Sequence, residues 1–224
     1  GVPRGAVKRL RIVGVPPKTQ PQMNQPVLGV SREDTGKFVL GTVPVDEDGS
    51  AHFSVPSGMS VFFQALDGDG LAVQTMRSLT YVQPGQTLSC VGCHDSREAA
   101  PGAGAIPTAS LREPSKLTPG PSGTWPLRYD ELVQPVLDKH CVTCHAKNPD
   151  KAPRLDTALL KFPTKGRGMN KSTTYYASYV SLAPKYGFYN YGGKGWSDPK
   201  WYRTTPGEFG ARASKLYQML MKGH

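Results

Sequence analysis

Alternating apolar and polar residues divide the chain into a front of short strands and a back of helices. Residues 7–13 form a β-prone run that ends at Gly14-Val15-Pro16-Pro17, and residues 38–45 form another. The turn Asp46-Glu47-Asp48-Gly49 leads into residues 51–55, where Phe53 and Val55 share one face and His52 and Ser54 the other. Residues 60–66 come next, stopped by Asp67-Gly68-Asp69-Gly70, and then residues 71–82. Short strands at this spacing, separated by acidic-glycine turns, predict a β-sandwich-like domain over residues 1–94. Residues 95–125 have the composition of a linker. Ala99-Ala100-Pro101-Gly102-Ala103-Gly104 and Pro119-Gly120-Pro121-Ser122-Gly123 sustain neither helix nor sheet. A bare linker of that length is unusual inside a compact fold, so it is expected to wrap over neighbouring structure.

From residue 126 the period changes. Tyr129, Leu132, Val133, Val136 and Leu137 fall on one helical face, and Pro135 predicts a kink or two short helices. A loop-rich, aromatic stretch follows, with Tyr175, Tyr176, Tyr179, Tyr186, Phe188, Tyr189, Tyr191, Trp196, Trp201 and Tyr202. Such rings serve as packing or as walls of a flat cofactor. A last helix is predicted over residues 213–222, stopped by Gly223.

Two pentads change this picture. Cys90-Val91-Gly92-Cys93-His94 ends the strand-rich part, and Cys141-Val142-Thr143-Cys144-His145 follows the first helical run. In a C-x-x-C-H pentad two thiols add to the two vinyl groups of a haem and the adjacent imidazole binds its iron. All four cysteines of the chain are used in this way. The alternatives are a zinc ribbon, a redox dithiol or disulfides. The gap from Cys93 to Cys141 exceeds the usual ribbon spacing of about 15–20 residues, and zinc gives no reason for a histidine after each pair. The expected cofactors are two covalently bound haems c, and no motif calls for an additional zinc or calcium ion.

The expected fold class is therefore α+β. A β-sandwich-like domain carries one haem, residues 95–125 form the linker, and residues 126–224 form a mainly α, loop-rich, cytochrome c-like domain carrying the second. Cys90, Cys93, His94, Cys141, Cys144 and His145 are the haem-binding candidates, with His94 and His145 as proximal ligands. On the far side of the second iron the candidate is His224. Leu216, Leu220 and His224 are spaced i, i+4, i+8, so an apolar helical face leads to the imidazole. Met169, Met219 and Met221 are its rivals. His140 is expected in solvent, and His52 on the polar face of its strand. The first iron has no evident second ligand. Met76, Tyr81 and Glu98 are the candidates, and the expectation is an unusual ligand or a partly open position.

Charge and hydropathy narrow the partners. Residues 1–94 are near neutral, so residues 95–224 carry most of the net charge of +10. Haem propionates offset part of it, and a basic face steers an acidic redox partner. The basic residues are scattered and match no nucleic-acid motif. No apolar run reaches membrane-spanning length. Covalent haem attachment takes place outside the cytoplasm, so the expected location is the periplasm, another extracytoplasmic compartment or the extracellular space. The start at Gly1-Val2-Pro3-Arg4 and the end at Gly223-His224 lead us to expect a segment of a larger exported protein.

Several stretches resemble the hydrazine synthase alpha subunit family, planctomycete-type di-haem cytochromes c. Residues Gln64-Ala65-Leu66, Ala72-Val73-Gln74-Thr75-Met76-Arg77-Ser78 and the run from Gly85 to His94 resemble its middle domain. Tyr129-Asp130-Glu131-Leu132 ahead of the second pentad, and Thr204-Thr205-Pro206-Gly207 through His224, resemble its C-terminal haem domain. The resemblance implies a β-rich domain holding one haem and a helical domain holding a bis-histidine haem, with His224 as the second ligand. It further implies that the first haem is the reaction site, ligated by a tyrosine four places after the motif histidine. Here that place is Glu98, and the next tyrosine is Tyr129.

Three functions are compatible with these features. The first is a di-haem segment that moves single electrons within a larger exported protein. The second is a haem enzyme of hydrazine synthase type, an oxidoreductase acting on a small nitrogen or oxygen compound at the first haem and fed by the second. The third is a haem-bearing assembly module of a large complex, joined to other domains or subunits.

Overall fold

The computed structural model describes residues 2–22, 28–29, 36–91, 104–161, 174–187 and 205–223. The fold is α+β. Four strands form one antiparallel sheet: β1 (Arg9–Val15), β2 (Phe38–Pro44), β3 (Ser60–Leu66) and β4 (Ala72–Thr75), in the order β2-β1-β3-β4. β1 is central and buries residues on both faces, with Ile12 and Val13 almost wholly enclosed. It pairs with β3 from Arg9↔Leu66 to Val15↔Ser60, and with β2 across a register shift between Ile12 and Val13. The core on one side consists of Ile12, Phe38, Leu40, Val43 and Val61. Each side chain of this size stabilises the fold by roughly 1.5–3 kcal/mol on burial.

The described residues do not build the second sheet of a sandwich. Phe53 and Val55 do pack on the core as their shared face predicts, with Phe53 edge-on to Phe63 at 5.5 Å. Their backbone, however, joins only a single parallel bridge, Phe53↔Ser115. Likewise only Ala72–Thr75 of the run 71–82 is a strand, followed by an isolated bridge Val61↔Thr80.

Much of the proline-rich stretch assigned to the linker packs against this sheet. Thr118 and Thr42 exchange backbone hydrogen bonds of 2.9 and 2.8 Å, so Leu117 and Thr118 lie along the outer edge of β2, while Ser115 pairs with residues 52–54. Leu117 reaches the core. Gly41 makes the approach possible: its φ is +153°, and a Cβ there would stand 2.6 Å from the Thr118 carbonyl oxygen. Pro114, Pro119 and Pro121 lack the N–H groups a ladder needs, which limits the pairing to single bridges. A 3₁₀ turn, Thr108–Leu111, is held by the acidic turn after β2. Asp48 accepts from the Thr108 amide at 2.7 Å, Ser50 Oγ from the Ala109 amide at 3.0 Å, and Arg112 pairs with Asp46 at 3.2 Å.

The second half begins with α1 (Tyr129–Leu132) and α2 (Gln134–His140). These are the two short helices predicted, because Pro135 sits in the first turn of α2, where its missing N–H costs nothing. Next come α3 (Val142–Ala146) and a small antiparallel pair, β5 (Leu159–Lys161) with β6 (Thr174–Tyr176). The ten-residue α4 (Ala177–Tyr186) lies within the stretch read as loops; Pro184 and its aromatic residues masked the helical period. Finally α5 (Gly210–Ala213) and α6 (Lys215–Met221) replace the single predicted last helix, because Ser214 caps α6 by accepting from the Tyr217 amide at 3.1 Å. Leu137, Leu155 and Leu182 are the core here, joined by Tyr129, Val142, Tyr186 and Leu216. Residues 205–213 return to the sheet: the Gly207 amide donates to the Val73 carbonyl at 2.8 Å, and Arg212 pairs with Asp67.

Candidate functional site

The second pentad is built from one continuous helical path. α2 ends at Cys141, whose amide donates to the Leu137 carbonyl at 2.8 Å. α3 then carries Cys144 and His145, and the His145 amide bonds the Cys141 carbonyl at 3.1 Å. Residues three apart on a helical turn share a face, so Cys141 and Cys144 are neighbours. Both are free thiols, Cys141 half-buried and Cys144 exposed.

The His145 ring is oriented by a carbonyl. Its Nδ1 lies 2.8 Å from the Pro153 carbonyl oxygen. A carbonyl only accepts, so Nδ1 bears the proton and donates, which puts the imidazole lone pair on Nε2. Ligating histidines in metal sites are held in this way, and the bond raises the basicity of the ring. Apolar side chains stand exposed on two helical stretches: Val133 and Val136 on the run before Cys141, and Leu220 and Met221 on α6. Leu216 is the α6 residue that joins the core, so the stripe Leu216–Leu220 runs from the core to the surface. Thioether-forming thiols, a lone pair on Nε2 and uncovered apolar surface together suit a haem. Among the described residues no three His, Cys, Asp or Glu side chains converge on a metal ion.

The first pentad is only partly described. Cys90 is a free, exposed thiol at the end of an exposed segment that starts near Gln83. Leu79, Tyr81, Leu88 and Val91 expose apolar surface along it. Cys93, His94 and the candidate Glu98 lie outside the described residues. Of the other candidates, Met76 is half-buried just after β4, where its amide bonds the Phe63 carbonyl at 2.9 Å, and Tyr81 is exposed.

The remaining ligand candidates are distributed as follows. His224 and its rival Met169 lie outside the described residues. Met219 and Met221 are exposed at the end of α6 rather than packed in the core. His140 is exposed. His52 is half-buried, its Nδ1 3.2 Å from the Arg112 carbonyl, so it ties residues 51–55 to the 3₁₀ turn.

The aromatic stretch walls a cleft of about 540 Å³ lined by Tyr129, Tyr175, Tyr176, Tyr179, Leu127 and Leu159. Tyr179 meets Tyr129 edge-on and Tyr175 tilted, each at 5.1 Å. Burial pushes the Tyr129 phenol up, against the opposing effect of its hydrogen bond to Ser178. Gln134, Pro153 and Ser178 escaped the sequence reading. Gln134 had a visible signal, as a polar residue flanked by Val133 and Val136; it is almost wholly buried.

No curated protein matches the chain. The hydrazine synthase of Kuenenia stuttgartiensis superposes with a TM-score of 0.56 at 22% sequence identity, over 81% of this chain and 30% of that one. Because residues 1–95 are less than half of the chain, the shared fold reaches well into the helical part. The chain thus spans less than a third of that protein. The family model for the hydrazine synthase alpha subunit middle domain matches residues 5–95, from just before β1 through the first pentad. Residues 5–95 thus carry a middle domain of the hydrazine synthase alpha subunit family.

Proposed function

We propose that the chain is a di-haem c segment of a larger exported complex of hydrazine synthase type, and that it moves single electrons. The observation that carries this reading is the 2.8 Å bond from His145 Nδ1 to the Pro153 carbonyl, beside two neighbouring thiols. Cys141 and Cys144 would hold one haem, with His145 and His224 as its iron ligands, and Cys90 and Cys93 would hold the other, with His94 as its ligand. When bound, the haems supply one-electron chemistry at iron. The residues of the chain do the rest. His145 holds its proton on Nδ1 against the Pro153 carbonyl and would offer Nε2 to the iron. The exposed apolar side chains along residues 79–91 and on α6 gain cover and exclude water. The basic second half attracts an acidic redox partner. The location is outside the cytoplasm. No helix among the described residues is long and apolar enough to cross a membrane.

Purified protein from an exporting host that matures haem c is expected to carry two haems by alkaline pyridine haemochrome, both retained through acid-acetone extraction. Pigment lost to the solvent, or absent, refutes the reading. A second reading, small-molecule redox chemistry at the first haem, draws on the family match that ends at that pentad. Carbon monoxide binding to the ferrous protein separates the two: a carrier leaves both irons unresponsive, and an enzyme of this kind binds at the first.

A further inference from the structure

A buried line of hydrogen bonds runs behind the second pentad. Tyr129 donates its hydroxyl to Ser178 Oγ at 3.1 Å, and Ser178 donates to Gln134 Oε1 at 2.6 Å. Gln134 then spends both hydrogens of Nε2, one on the Leu155 carbonyl at 3.0 Å and one on Asp138 Oδ1 at 2.7 Å. Every hydroxyl and amide in the line donates forward, so the bonds polarise one another in one direction. Ser178 is wholly buried and Gln134 is 3% exposed. A buried polar group of this kind costs stability unless it is satisfied, and each member of the line is satisfied by the next.

The line ends on the segment that orients His145. Leu155, which accepts from Gln134, is two residues from Pro153, which accepts from His145 Nδ1. The same segment is held from α4: the Ser178 amide donates to the Asp156 carbonyl at 3.1 Å and the Ala177 amide to the Ala158 carbonyl at 2.8 Å. One residue, Ser178, therefore grips the segment by its backbone and through Gln134 by its side chain.

We infer that Gln134, Ser178 and Tyr129 are positioning residues that fix the Pro153 carbonyl against the His145 ring and so tune the iron that His145 would ligate. This rests on the haem reading above. A firm Nδ1–H···O=C bond makes the imidazole a better electron donor, which favours ferric iron and lowers the potential. Loosening the segment weakens that bond and raises the potential of the haem at Cys141 and Cys144. None of the hydrogen bonds of the line involves Cys90, so the haem that Cys90 and Cys93 would hold serves as the internal reference.

The test is a spectroelectrochemical titration of the purified di-haem protein and of Gln134→Met and Tyr129→Phe. Exchange of the His145 ring N–H is followed alongside by NMR on histidine-labelled protein. Expected are an upward shift of one haem couple only, larger for Gln134→Met than for Tyr129→Phe, and ring N–H exchange faster by about tenfold or more. Tyr129→Phe removes one hydroxyl at a half-buried position and decides the matter if Gln134→Met does not fold. Two haems with unshifted potentials and unchanged exchange in Tyr129→Phe overturn the positioning role while leaving the haem reading intact. A wild-type protein without covalent haem overturns both.

Discussion

Arg212 and Asp67, separated by 145 positions, form an ion pair that ties α5 to the turn between β3 and β4. Asp67 also accepts from the amides of Asp69 and Leu71 with its other oxygen, so one carboxylate both shapes its own turn and holds a remote helix. The helix it holds leads, through Ser214, into the one that ends just before His224.

Replacing Arg212 with glutamine leaves the largely buried Asp67 carboxylate without its guanidinium. Solvent at the more exposed arginine limits the loss to about 1–2 kcal/mol in denaturant unfolding. The informative readout is local. Hydrogen exchange at the Gly207 amide, bonded to Val73, should accelerate by more than the global stability change requires. Equal acceleration across the whole protein would show that the pair is not a local tether.

Asp48 gives the acid response its sign. Hydrogen bonds from Ser50 and from the Thr108 amide hold its carboxyl well below the ordinary value of 3.8. A carboxyl depressed on folding contributes stability that is present above its unfolded pKa and lost as pH falls through the folded one. The 3₁₀ turn Thr108–Leu111 should therefore stay docked at pH 5 and release progressively below about pH 4. Amide exchange at Thr108 and Ala109 across that range measures it, corrected for intrinsic rates. Asp48→Asn should show the released state already at pH 6, and a pH-independent Thr108 amide would contradict the assignment.

Gly41→Ala tests the seam between β2 and residues 117–118. The new Cβ meets a backbone carbonyl 2.6 Å away in a conformation that L side chains rarely adopt. The expected loss is roughly 1–3 kcal/mol, with the Thr42 and Thr118 amides becoming exchangeable. Leu137→Ala tests the other core. It should cost about 2–5 kcal/mol, because Leu137 is shared with Leu155 and Leu182.

If His224 is the second axial ligand of the second haem, His224→Met should raise that couple and leave the other unchanged, since methionine-histidine ligation favours the ferrous state relative to bis-histidine. An unchanged potential would return Met169 to consideration.

How much of this was legible in the sequence follows from the range of the interactions. Local signals were sound. Pro135 split a helix because a missing N–H acts within one turn, and Gly223 adopts φ +82° just beyond α6. The shared face of Phe53 and Val55 predicted their burial. The second sheet failed because strand-like composition does not reveal a partner. Residues 51–55 pair instead with Ser115, from a proline-rich stretch that reads as linker. The helix α4 was hidden by tyrosines and Pro184. At the candidate site the pentads were plain, whereas the Pro153 carbonyl and the Ser178–Gln134 line were not, since a backbone acceptor leaves no mark on residue identity.

The docking of residues 104–127 along β2 has a topological consequence. Upstream of the first pentad the chain is pinned at the Val61↔Thr80 bridge, and downstream it is pinned at Asp48, Ser115 and Thr118, all on the same four-stranded platform. The described chain on either side of the first pentad is thus fastened to one body, at Thr80 before it and at residues 108–118 after it, and a single backbone cut between residues 91 and 104 would leave both ends fastened.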